Sequence, residues 1–169
     1  MSALSSAAAL LKPWKDAFSN STAVSTTVIT VHIIALLFAG GLAIAADRTT
    51  LRALRSSAEA RRAHLEELAA VHRPVLSFLA VLFASGLLLL TSDIETFATA
   101  PLFWVKMSLL ALLLINGAVL QRAEARLRRD GNASEATSPG WRRLRTSTYV
   151  SLTLWTATAI AGIVLANIS

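Results

Sequence analysis

Two basic side chains, His32 and Lys106, stand inside long runs that carry no other charge. An ionisable residue at membrane depth marks a functional site by default. A histidine there can ligate haem iron or copper, or relay a proton. The structural alternative is a neutral imidazole hydrogen-bonded to another helix. Its neighbours at helical spacing are Ser25, Val28, Ala35 and Ala39. The small and polar ones among them predict a face turned into a bundle. Lys106 falls about one and a half helical turns inside its run. It can snorkel to headgroups, pair with Asp93 or Glu95, or hold an anionic group such as a haem propionate. A lysine at the centre of a span costs about 2.5–3.5 kcal/mol on insertion scales and less near an end, so snorkelling alone could account for it. Asn116, beside Gly117, is the remaining polar candidate on the same run. A buried amide of this kind bridges helices more often than it binds a ligand. The candidate cofactor site is therefore His32, Lys106 and Asn116, with His32 as the metal ligand, and no catalytic residue is assigned.

Positioning these residues requires membrane-spanning helices of about 20 apolar residues each. Four segments qualify, at about 22–46, 74–91, 101–120 and 148–168. Pro74 and Pro101 suit a first helical turn, where a missing N–H is harmless. The connection after the first span holds Arg48, Arg52, Arg55, Arg61, Arg62 and Arg73, and the one after the third holds seven more arginines between Arg122 and Arg145. The middle connection has Asp93 and Glu95 and no basic residue. The positive-inside rule then makes 47–73 and 121–147 cytoplasmic and both termini external. Trp104 and Trp141 are expected at opposite interfaces, as belt residues.

Residues 1–21 form a separate N-terminal segment, with Leu10, Leu11, Trp14 and Phe18 at near-helical spacing. That spacing predicts an amphipathic helix lying in the outer interface. The four-span domain is 22–169. Its first cytoplasmic connection is helical by pattern, with Ser56 and Glu59 as a capping box and Arg55–Glu59 and Arg62–Glu66 as i,i+4 pairs. This loop helix is expected to run into the second span with a break near Pro74. His64 and His72 on it read as solvated, and Asp47 and Arg48 read as an interfacial pair. The sequence DGNASEATSPG predicts a flexible connection before the last span. The fold class is all-α, an integral membrane four-helix bundle.

Composition excludes much else. Of 169 residues, 54% are hydrophobic and only 15% charged, against roughly 25% charged in soluble domains. There is no cysteine, which removes disulfides, thiolate metal sites and cysteine nucleophiles. The net charge of +6 sits at helix ends, where lipid headgroups account for it without nucleic acid. The start shows no cleavable signal pattern. No P-loop, nucleotide fingerprint, HExxH motif or Ser-His-Asp set is present. The small-residue pairs Gly40-Gly41, Gly41/Ala45, Ala80/Ala84 and Gly162/Ala166 permit close helix approach.

The stretches VHIIALLFAGGLAIAADR, ASGLLLLTSD, PLFWVKMSLLALLLINGAVLQR and SLTLWTATAIAGIVLA resemble the uncharacterised four-helix membrane proteins of the DUF6644 type. That resemblance implies a fold and no activity. His32 with Gly40-Gly41 is also similar to the first helix of the haem-binding membrane protoporphyrinogen oxidases and of the CopD-type copper-resistance proteins. Phe103-Trp104-Val105-Lys106 resembles the aromatic-x-x-Lys start of that oxidase family's third helix. The oxidases carry a second histidine in the third helix, where this chain has Asn116-Gly117. Two axial histidines from one chain are therefore not expected.

Three functions remain open. The first is a small, non-catalytic membrane protein that binds haem b or another cofactor through His32. The second is an accessory or scaffold subunit of a larger membrane complex, such as a respiratory one. The third is an oligomeric transporter or channel, for which the polar lining is meagre. Expected partners are the bilayer and either a second copy or a larger complex, in a bacterial inner membrane.

Overall fold

The computed structural model describes residues 3–129 and 137–168, and every element within them is helical. In chain order these are α1 (Ala3–Asn20), α2 (Thr22–Ala53), α3 (Ala58–Ser92), α4 (Ile94–Thr99), α5 (Pro101–Arg129) and α6 (Pro139–Ile168). Four of them, α2, α3, α5 and α6, are long and apolar enough to cross a membrane. Their outward faces carry large aliphatic side chains, with Leu37 66% and Ile115 61% exposed. Such a surface would aggregate in water but matches hydrocarbon. The protein is an all-helical, integral membrane type.

Each long helix outruns its apolar core. α2 continues past Ala46 to Ala53. The Ser21 hydroxyl accepts from Val24 N–H at 3.4 Å and starts that helix. The loop helix and the second span form one continuous element, α3, with Pro74 inside it and no break there. Proline removes one backbone bond and crowds the preceding turn. Packing on both sides of it, through Leu65 and Leu68 before and Leu79 and Leu82 after, holds the two halves in line. The N-cap is Ser57, which accepts from Ala60 N–H at 3.2 Å. The Ser56 hydroxyl instead donates to the Arg52 carbonyl at 3.1 Å, so the expected Ser56–Glu59 box does not form. Among the described residues, neither expected i,i+4 ion pair is made. The DGNASEATSPG connection lies largely outside the described residues.

The bundle consists of two helical hairpins, α2 with α3 and α5 with α6, joined mainly where α2 meets α6. α3 and α5 share few contacts. At the α2–α6 crossing, Ala39 and Trp155 bury against Leu113, with Leu36, Phe78 and Leu79 packed around them. Phe38 and Phe78 stack at 4.9 Å between α2 and α3. A second apolar cluster of Leu65, Ala123, Leu127, Trp141 and Leu144 brings both arginine-rich segments to one end of the molecule. Trp141 is fully buried there and is not an interfacial residue. Trp104 is 59% exposed, with its indole N–H donating to the Ala98 carbonyl at 3.0 Å.

At the other end α1 lies against α3. Ala8, Leu11, Trp14 and Phe18 form its inward stripe, and Leu10 is 84% exposed. Trp14 Nε1 donates to the Leu88 carbonyl at 3.1 Å, and Lys15 pairs with Asp93 at 3.0 Å.

Candidate functional site

His32 sits in the half of α2 nearer α1, and its inward face is the one expected, with Ala35 and Ala39 buried. Its Nδ1 is 3.0 Å from Ser85 Oγ on α3. The Ser85 hydroxyl is within hydrogen-bond distance of the Val81 and Leu82 carbonyls of its own helix, at 2.8 and 3.1 Å. With the Ser85 proton on one of those carbonyls, His32 donates through Nδ1 and Nε2 keeps the lone pair; with that proton on Nδ1 the tautomer reverses. The Leu82 carbonyl is a further acceptor beside the ring. Gly86 of α3 lies beside the ring, with room for no more than ordinary contact. A Cβ at 86 would lie 3.4 Å from the imidazole Cε1.

Lys106 on α5 is brought to the same half of the bundle, close enough for its charge to act on His32. Its ammonium runs past Gly162 on α6, where a Cβ would stand 3.5 Å from Nζ. Each basic side chain thus runs beside a glycine, Gly86 for His32 and Gly162 for Lys106, at a distance where an added methyl would make ordinary contact. Neither Asp93 nor Glu95 meets Lys106. Asp93 is taken by Lys15 instead, and among the described residues no carboxylate pairs with Lys106.

Asn116 is elsewhere. It lies ten positions beyond Lys106, about 15 Å along the helix, and its amide donates to the Ser147 carbonyl of α6 at 2.9 Å. This is an interhelical bridge, and the structure does not bring it to His32.

Several functional-looking residues escaped the sequence reading. Asp47 turns away from Arg48, which is exposed, and is buried against α6 beside Ser151. One carboxylate oxygen, Oδ2, is fully buried with no hydrogen-bond partner. His64 is not solvated: it is buried, with Nε2 2.9 Å from Thr50 Oγ1. His72 is not free either, because its Nδ1 faces the fully buried Glu124 carboxylate at 3.5 Å. Arg128 approaches the other oxygen of Glu124 at 2.7 Å, without the alignment of a hydrogen bond. The available signal was the helical period of Arg61, His64, Leu65, Leu68 and His72, which marks a packed face of α3.

At the α1 end the electrostatics are ordinary surface chemistry. A 2.6 Å hydrogen bond from Thr96 and the nearby Lys15 ammonium hold the Asp93 carboxyl below the usual carboxylate range. The same carboxylate raises the Lys15 ammonium.

Among the described residues, no three His, Asp or Glu side chains converge as a metal-binding group. Compared with known proteins, the chain matches no family model, no curated protein and no solved structure.

Proposed function

We propose that this chain is a small, non-catalytic membrane protein that holds a metal-bearing, acidic cofactor of the haem b class between its two hairpins. The observation that carries the reading is the pairing, in one half of the bundle, of a partly buried imidazole held by Ser85 with an ammonium that no carboxylate meets among the described residues. In the tautomer that donates to Ser85, His32 Nδ1 makes the outer-shell contact that orients a metal-ligating histidine and raises its basicity. Nε2 is then the ligand atom. Lys106 supplies the charge that an anionic substituent, such as a propionate, would require. A metal held by side chains alone would need three or four donors, and no such group converges among the described residues. A metal carried in its own ring needs only one from this chain.

When bound, such a cofactor supplies one-electron redox chemistry. The chain's own residues bind and orient it. Asn116 takes no part in this arrangement, so His32 is the one side chain that would hold the metal and Lys106 the one that would meet its acidic substituent. The DUF6644 likeness is neutral on this point, and the weaker likeness to haem-binding four-helix proteins agrees with it. The arginine-rich end is read as cytoplasmic and the α1 end as external, in a bacterial inner membrane, by the positive-inside rule. The α1 helix is read as interfacial.

The test is a dithionite-reduced minus oxidised visible spectrum of protein expressed with ample haem and purified in mild detergent. Sharp α and Soret bands that vanish in His32→Ala are expected. A flat spectrum from folded protein would sink the haem reading and return His32 to an interhelical hydrogen bond. The scaffold alternative would then be tested by co-purification with a larger membrane complex.

A further inference from the structure

A cavity of about 210 Å³ lies between α2, α3, α5 and α6, toward the arginine-rich end. It is separate from the His32 site: Asp47 is fifteen positions beyond His32, about 22 Å along α2. Most of its wall is aliphatic. Leu76 of α3 and Leu114 of α5 both line it, and they are 51% and 49% exposed. The cavity therefore communicates with the lipid-facing surface, between the two helices that share few contacts.

Its polar wall consists of Asp47, Ser151, Asn116, His72 and Gln121. Asp47 is 4% exposed. Ser151 lies beside the carboxylate, while Oδ2 has no hydrogen-bond partner. His72 directs Nδ1 to Glu124, and Asn116 directs its amide to Ser147. Among the described residues, no lysine or arginine lines the cavity. A buried carboxylate without a cation is costly, and pairing with one relieves that cost. A hard metal cation would want six or more oxygens, or its own waters, and this wall is mainly hydrocarbon. An organic ammonium with an apolar body satisfies both halves of the cavity, with its charge on Asp47 and its body among the leucines.

We infer that this cavity is a binding site for a small amphiphilic amine, reached from the lipid between Leu76 and Leu114, with Asp47 as the counter-charge. The occupant's ammonium pairs with the Asp47 carboxylate, and its apolar part lies against Leu79, Leu113 and Trp155.

The experiment is a titration of the full chain in phosphatidylcholine nanodiscs with phenethylammonium, followed by tryptophan fluorescence and by calorimetry. Saturable binding that perturbs Trp155 is expected, with the signal lost in Trp155→Phe. Asp47→Asn should weaken binding by at least about tenfold, because a charge pair within a desolvated site is removed. The neutral 2-phenylethanol and the anionic 3-phenylpropionate should bind no better than that variant does. Equal binding of phenethylammonium and 2-phenylethanol would overturn the inference, since it would mean only partition into an apolar cleft. Undiminished binding in Asp47→Asn would overturn it too. If Asp47→Asn fails to fold, Leu76→Trp carries the test. It leaves the acid intact and fills the lipid-side opening, so binding should fall and unchanged binding would refute the site. Binding should persist in His32→Ala, which separates this site from the haem reading.

Discussion

Gly40 on α2 lies against the indole of Trp155 on α6, where a Cβ would stand 3.3 Å from ring atom Cε3. Trp155 is itself packed on Ala39 and Leu113 and has little room to retreat. The joint between the two hairpins therefore depends on the absence of one side chain. Gly41, next in sequence, faces nothing within 4 Å. Gly40→Ala should destabilise the protein by about 1–3 kcal/mol, the usual cost of overpacking, whereas Gly41→Ala should be near neutral. Thermal unfolding in detergent, followed by circular dichroism, would check the pair. Equal effects would mean that the crossing is not as tight as the geometry states.

Ser85→Ala tests the same imidazole from its other side. Removing the hydroxyl leaves His32 Nδ1 without its partner in a mostly buried position, which costs about 1–3 kcal/mol. It also frees the ring to rotate. The expected outcomes are a lower melting temperature and, in a haem-loaded sample, a shifted or weakened spectrum rather than its abolition. An unchanged spectrum and an unchanged melting temperature would show that Ser85 does not hold the ring.

Lys106→Leu separates two roles. With no carboxylate partner among the described residues, the lysine contributes little to holding the bundle together. Removing a charge from near the end of a span should ease membrane insertion, by up to about 2.5–3.5 kcal/mol. The variant should therefore express at least as well as the parent while losing affinity for an acidic cofactor. Poor expression with an intact spectrum would invert the assignment and make Lys106 structural.

The Lys15–Asp93 pair gives a pH dependence whose sign is fixed. Asp93 titrates below its ordinary value, so its contribution is present above that value and is lost as pH falls through the lowered one. Lys15 titrates above its ordinary value, so its contribution is lost as pH rises through the raised one. Between those limits α1 stays docked, and the exposed pair adds only modestly to the Trp14–Leu88 contact. Amide exchange in α1 should quicken below about pH 4 and in Lys15→Glu at neutral pH. Exchange that is indifferent to both would show that the pair does not tether α1.

The spans were legible because a run of about 20 apolar residues has few other uses. What lies just beyond them was harder to read. The arginine-rich segments look solvated by composition, yet they continue the helices outside the apolar zone and pack there, which is why Trp141, His64 and His72 turned inward. Pro74 carried a strong local signal for a break, and packing on both sides overrode it. A pair of Lys106 with Asp93 or Glu95 was one of three roles open to that lysine; Lys15 takes Asp93 because α1 lies across α3, a placement the sequence does not foretell. His32 was legible as a lone imidazole. Its Ser85 partner was not, since it comes from another helix. Asp47 looked like the end of a span because Arg48 follows it, and only the approach of α6 makes it a buried acid.

The sparse contact between α3 and α5 also bears on how the protein could be assembled from pieces. α2 with α3, and α5 with α6, are each self-contained helical pairs whose mutual recognition rests largely on one α2–α6 face. A gene cut after Thr99 would give two fragments, each beginning and ending on the external side by the orientation proposed above. Co-expressed, the two fragments should find each other in the bilayer and restore the parent's properties, and Gly40→Ala in the first fragment should be enough to impair that complementation.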